Sequence, residues 1–232
     1  PRPHRPRVFL TTPENVELSA STRVSAFLAP IVLRSFAAGN PVDLAEGSDG
    51  SLYVLDGVAG RVQRFAPEGD LLQTIGASGS GADQLSNPQG LAVAPDGTVY
   101  VADTGNDRIQ VFGVDGTWVR SIGGQCTALG RFRGPRAVAL DNDGRTLVVA
   151  DTGNERIKRF DPDGTRVATM PFRGATGLAR VRGSGVVIAS PAESALRAVV
   201  DGVFQEIPAL VQLPQAAAPV GPIDVIEGPD GV

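Results

Sequence analysis

Of the chain's 232 residues, 29 are Gly and 18 are Pro, a share well above that of an ordinary globular protein, so turns are frequent. With 42% hydrophobic and 20% charged residues the chain can bury a core, which excludes wholesale disorder and a collagen-like rod. No apolar run approaches the roughly 20 residues of a spanning helix, and a net charge of −4 gives no blanket attraction to nucleic acid or anionic membrane. Scarce residues narrow the chemistry further. The only histidine is His4 and the only cysteine Cys126, so the folded body cannot build a His triad, a Ser-His-Asp machine, an internal disulfide or a multi-Cys zinc cluster. The only lysine, Lys158, falls in a predicted strand and is a poor nucleophile candidate.

Residues 1–39 form a Pro- and Arg-rich leader followed by two β-rich runs, Arg23 to Phe27 and Ile31 to Phe36. Pro1 in place of Met is what a processed or excised piece would show. From Asn40 a unit recurs: NPVDLAEGSDGSLYVLDGVAGRVQRFAPEGDLLQTIGA, then from Asn87 NPQGLAVAPDGTVYVADTGNDRIQVFGVDGTWVRSIGG, then from Gly134 GPRAVALDNDGRTLVVADTGNERIKRFDPDGTRVATM. Pro41, Pro88 and Pro135 lie 47 residues apart; a degenerate fourth copy begins at Ala175, 40 further on, and Pro222 opens a fifth after another 47. Each unit holds four β-rich runs between turn signals, in the second copy Leu91–Ala94, Thr98–Ala102, Arg108–Phe112 and Trp118–Ile122. Runs such as VYVA and LVVA are apolar on both faces, so each sheet is expected between two neighbours. The predicted fold is all-β: a propeller of four-stranded antiparallel blades over 40–86, 87–133, 134–173 and 174–220, with partial blades at both ends. Arg23 to Phe36 and residues 221–232 can combine into a composite blade that closes a five-bladed ring; alternatively the chain is a cut from a longer propeller.

The stretches GLAVAPDGTVYVADTGNDRIQVF and VALDNDGRTLVVADTGNERIKRF resemble NHL repeats, with a close match over about Asn40 to Met170 and a poor one over Gly174 to Pro219. The resemblance implies a propeller, usually of six blades. It also implies relatives that bind through one face and relatives that are enzymes: a peptide-amidating lyase with His ligands to zinc, which this His-poor body does not match, and more distant metal-dependent lactonases and strictosidine synthase-like enzymes.

Three sets of residues are candidates. The motif D-T-G-N followed by an acid and Arg supplies Asp103, Asn106 and Arg108, then Asp151, Asn154 and Arg156, and in weakened form Asp56 and Arg61. Its recurrence favours a blade-building role: Asp accepting turn amides, Gly105 and Asn106 in left-handed conformations, Arg pairing with a carboxylate. In the fourth copy Ser190 and Ala195 stand at the Asp and Arg positions, so a less rigid blade is expected. The second set is the connectors between blades, which vary where the motif does not. Residues 76–86 read as polar and flexible, whereas Arg131, Phe132, Arg133 and Arg136 form a candidate ligand-binding loop face, with RNA a less favoured ligand. The third is the channel mouth, where Asp43 and Asp224 are candidate ligands for Ca²⁺; otherwise no cofactor is expected. The functional expectation is a non-enzymatic module, part of a larger bacterial protein, that binds a protein partner or a small molecule. The alternative is a lactonase-like enzyme with a cation in the channel. The compartment is left open.

Overall fold

The computed structural model describes residues 8–11, 17–20, 39–123, 131–181, 185–192, 195–200 and 203–206. The runs read as closing strands, 23–36 and 221–232, lie outside them, as do Asp224 and Cys126. A two-stranded hairpin, β1 (Val8–Thr11) and β2 (Glu17–Ala20), occupies part of the segment read as leader.

Four antiparallel sheets follow in propeller order, each a meander in sequence order. Blade 1 comprises β3 (Pro41–Glu46), β4 (Leu52–Asp56), β5 (Arg61–Phe65) and β6 (Leu71–Ile75). A short parallel pair, β7 (Ala77–Ser78) and β8 (Gln84–Leu85), lies in the connector. Blade 2 is β9 (Gly90–Val93), β10 (Val99–Asp103), β11 (Arg108–Phe112) and β12 (Trp118–Gly123). Blade 3 is β13 (Ala137–Leu140), β14 (Leu147–Asp151), β15 (Arg156–Phe160) and β16 (Arg166–Pro171). Blade 4 is β17 (Gly177–Val181), β18 (Gly185–Ser190), β19 (Ala195–Val200) and β20 (Val203–Glu206). The innermost strands of successive blades touch in series, β3 with β9, β9 with β13 and β13 with β17.

The alternation of the strands explains the stacking. In β10, Val99 and Val101 join Tyr53, Leu55 and Val62 of blade 1, while Tyr100 and Ala102 join Val138, Leu147 and Val149 of blade 3. A period of two thus sends successive side chains to opposite interfaces, and apolar residues at every position bury both faces. The third interface repeats the scheme, with Val148, Ala150 and Ile157 against Val186, Ile188 and Val199.

Gly90 marks how closely the innermost strands approach. A Cβ there would lie 2.6 Å from the carbonyl oxygen of Arg136 and 2.8 Å from the Cα of Ala137, both backbone atoms of the next blade. Backbone at that distance cannot swing aside, so Gly90→Ala is expected to destabilise the protein by about 1–3 kcal/mol through overpacking. A denaturant midpoint equal to that of the wild type would refute the close approach.

Candidate functional site

Asp56, Asp103 and Asp151 are each the last residue of a second strand, and each lies opposite the Arg that starts the third: Arg61, Arg108 and Arg156. All three carboxylates are buried, so each needs hydrogen-bond donors. For Asp103 these are the amide of Ser86 at 2.6 Å, Asn106 Nδ2 at 2.8 Å and Arg108 Nε at 2.7 Å. Asp151 takes the amide of Arg133 at 2.8 Å, Asn154 Nδ2 at 3.0 Å and Arg156 Nε at 2.7 Å. Ser86 and Arg133 belong to the connectors that lead into blades 2 and 3. The carboxylate therefore takes its backbone amide from the incoming connector and only a side-chain amide, that of Asn106 or Asn154, from its own turn, where the sequence suggests the turn's backbone amides. Only Asp56 accepts backbone amides of its own turn, from Val58 at 3.2 Å and Ala59 at 2.9 Å, and Arg61 Nε stands off at 3.7 Å.

The rest of the motif serves the same purpose. Asn106 and Arg108 donate to the carbonyls of Gly79, Gly81 and Gln84 at 2.6–2.9 Å. Gln110 adds bonds to Ala82 and Gln84, and Leu85 is fully buried. Residues 76–86, expected to be flexible, are thus tied down at five carbonyl contacts despite their Gly and Ser content. Thr104 and Thr152 donate to the carbonyls of Pro135 and Ala175, both at 2.6 Å, and so reach the segment that leads into the first strand of the following blade. Neither was singled out from the sequence, although the Thr shared by the two complete motifs was the signal.

The motif glycines matter for close approach and not for handedness. Gly105 and Gly153 donate to the carbonyls of Ser86 and Arg133, and a Cβ would sit within 2.7 Å of those same oxygens. The left-handed residues are Asp107 (φ 55°) and Glu155 (φ 50°), each ending a short 3₁₀ turn over Thr104–Asn106 or Thr152–Asn154. In blade 4 Ser190 pairs with Ala195, and its hydroxyl donates to the carbonyl of Arg173 at 2.7 Å, the connector position equivalent to Ser86 and Arg133.

Arg131, Arg133 and Arg136 are exposed, and their side chains make no ion pair among the described residues. Phe132 differs from expectation. It is 3% exposed, tilted against Phe160 at 5.7 Å between centroids, and capped by the Lys158 ammonium at 4.3 Å. Gly123 leaves the space it occupies, since a Cβ there would lie 2.2 Å from the ring. Phe132 therefore anchors the connector in the core and offers no ring to a base.

Asp43 does not stand free at a channel mouth. Its Oδ1 accepts from the amide of Leu44 at 2.8 Å and its Oδ2 from the amide of Leu91 at 2.5 Å, tying blade 1 to blade 2. Among the described residues no three His, Cys, Asp or Glu side chains gather as a metal site.

The two ends of the blades differ in charge. The ends opposite the connectors carry Asp49, Glu68, Asp96, Asp115, Asp143 and Asp163 in their turns. Hydrogen bonds from Ser51, Thr98, Thr117 and Thr165 hold Asp49, Asp96, Asp115 and Asp163 below the usual carboxylate range, so these turns keep their carboxylates ionised, with Arg64 paired to Asp49. The connector face bears Arg131, Arg133 and Arg136, whose side chains pair with no carboxylate among the described residues.

The model of the NHL repeat matches residues 85–112 and 132–160, the stretches that contain both complete motifs. The chain is a β-propeller that contains NHL repeats. No curated protein sequence matches it significantly. Among solved structures this propeller is similar to streptogramin B lyase, with 15% identity and a TM-score of 0.63 over 98% of this chain and 74% of that one. It is also similar to a catalytically inactive virginiamycin B lyase from Staphylococcus aureus crystallised with quinupristin, with 13% identity, a TM-score of 0.57 and 87% of this chain covered. A third relative in fold is hydrazine synthase of Kuenenia stuttgartiensis, with 17% identity and a TM-score of 0.56 over 81% of this chain and 49% of that one. The chain spans 62% of the length of the virginiamycin B lyase. At these identities the likeness is one of fold.

Proposed function

We propose that this propeller is a recognition module whose connector face binds an acidic segment of a protein partner. The observation that supports this reading is the trio Arg131, Arg133 and Arg136, exposed and paired with no carboxylate among the described residues, on a connector whose backbone is held by Asp151, Asn154 and Arg156. Guanidinium groups on a fixed backbone lose less entropy on pairing with carboxylates than the same groups on a loose loop. The anionic turns of the opposite end orient an acidic partner toward the connectors. Burial of Phe132 removes the stacking surface that a single-stranded nucleic acid would use, which favours a polypeptide over RNA.

The test is calorimetric titration with a heptaglutamate peptide. Wild type is expected to bind, more weakly as salt rises, and the triple variant Arg131→Ala, Arg133→Ala, Arg136→Ala to bind at least about tenfold more weakly, equivalent to ~1.4 kcal/mol. Equal affinities, no binding by wild type, or displacement of the peptide by an RNA oligonucleotide at lower concentration would each overturn the proposal.

A further inference from the structure

The third strands carry a buried polar column two residues after the motif Arg: Gln63, Gln110 and Lys158. In blade 2 the neutral Gln110 holds its connector through the carbonyls of Ala82 and Gln84 and satisfies its own oxygen with Trp118 Nε1 and Ser121 Oγ. In blade 3 the only lysine of the protein occupies the same place. Lys158 is fully buried, donates to the carbonyl of Arg131 at 3.3 Å, stands 3.7 Å from Asp151 Oδ2 and rests on the Phe132 ring. Two of these groups, Arg131 and Phe132, belong to the connector itself.

We infer that Lys158 makes the connector at Arg131–Gly134 a proton-linked latch: proton uptake favours an opened connector in which the ammonium reaches water, and proton release favours the closed one. The inference rests on the connector face as the recognition site, because the latch sets where Arg131 and Arg133 stand. Burial, then the nearby Arg156 and Arg166, push the Lys158 ammonium down to about 8, and the Asp151 carboxylate opposes them only in part. Among the described residues, Arg156 acts on it from its own strand, Arg166 from β16 and Asp151 from β14. A lysine in an opened, hydrated connector returns to about 10.4. The closed form thus has the lower proton affinity, so closure gains as pH rises from about 8 to about 10.4, opening gains as pH falls back through that window, and below it, where both forms hold the proton, the balance is flat. The full range is on the order of a hundredfold in the opening equilibrium.

The amides of Arg133 and Gly153 report the latch, since one bonds Asp151 Oδ1 and the other the carbonyl of Arg133. Ser86 and Gly105 occupy the same positions in blade 2, where Gln110 replaces the lysine, and serve as an internal control. Solvent-exchange NMR on the full chain from pH 7 to 10, corrected for intrinsic rates, is expected to show protection of Arg133 and Gly153 rising up to about a hundredfold while Ser86 and Gly105 stay flat. The single Lys158 Cε resonance should titrate over the same range. Lys158→Gln, which installs the blade 2 residue, should abolish the rise at Arg133. Parallel behaviour of both amide pairs, or a rise that survives in Lys158→Gln, would overturn the latch. Neither readout involves a ligand, so failure of the latch and failure of peptide binding are separate results.

Discussion

Asp151→Ala is expected to lower stability by about 3–5 kcal/mol, because the substitution removes the partner of a buried cation and leaves other donors unsatisfied. Four groups converge on this carboxylate: the Arg133 amide, Asn154, Arg156 and, at 3.7 Å, the fully buried Lys158. Alanine takes this acceptor from all four; the Arg133 amide loses its partner, and the Lys158 ammonium loses its counter-charge and has little water to turn to. For a domain of this size the loss corresponds to a fall in melting temperature of roughly 6–20 °C. Asp56→Ala provides the comparison, since Asp56 accepts two turn amides and its arginine stands 3.7 Å away on a partly exposed side chain. Its expected cost is about 1–2 kcal/mol. Thermal unfolding of the two variants in one buffer checks the ranking. If Asp56→Ala proves the more damaging, the connector grip is not what the Asp151 carboxylate contributes.

Val101→Asp should be at least as severe. Val101 is fully buried in the interface of blades 1 and 2 with Leu55, Val62, Leu91 and Phe112, and no donor among them could pair with a carboxylate. Ionised or neutral, the new group loses its hydration without compensation, at a cost of several kcal/mol. The same change at Val119, which is 52% exposed on the outermost strand, should stay within about 0.5 kcal/mol. Urea titration of both variants separates burial from strand propensity. Comparable midpoints for the two would mean that the blades do not stack through both faces.

Both expectations start from features visible in the sequence, but not equally so. The 47-residue spacing of Pro41, Pro88 and Pro135 and the two-faced runs around Val101 were enough for the blades, because local turn chemistry and strand period determine them. Contacts between blades were harder to read. The amide that Asp103 grips belongs to Ser86, 17 residues upstream, and the amide that holds Asp43 belongs to Leu91, 48 residues downstream. Neither separation leaves a local pattern. Phe132 looked exposed because it sits among arginines and glycines; its burial depends on the gap that Gly123 leaves. Lys158 reads as an ordinary strand residue in sequence; its burial at the position that Gln63 and Gln110 hold in the other blades depends on the Phe132 ring and the Asp151 carboxylate, which sequence does not place beside it. The flexible composition of residues 76–86 was overruled by Asn106, Arg108 and Gln110, whose partners are main-chain carbonyls that no composition reveals.

The recognition face and the repeated motif meet in one arrangement: a constant loop fixes a variable connector, and the connector's side chains are left to the partner. Mapping the amide shifts of the ¹⁵N-labelled protein during titration with heptaglutamate tests that arrangement directly. Shifts confined to residues 131–136 and the adjoining turns at Asp107 and Glu155 are predicted, with the turns at Asp49, Asp96 and Asp143 unmoved. Shifts concentrated in those opposite turns, or no shifts at all, would contradict it.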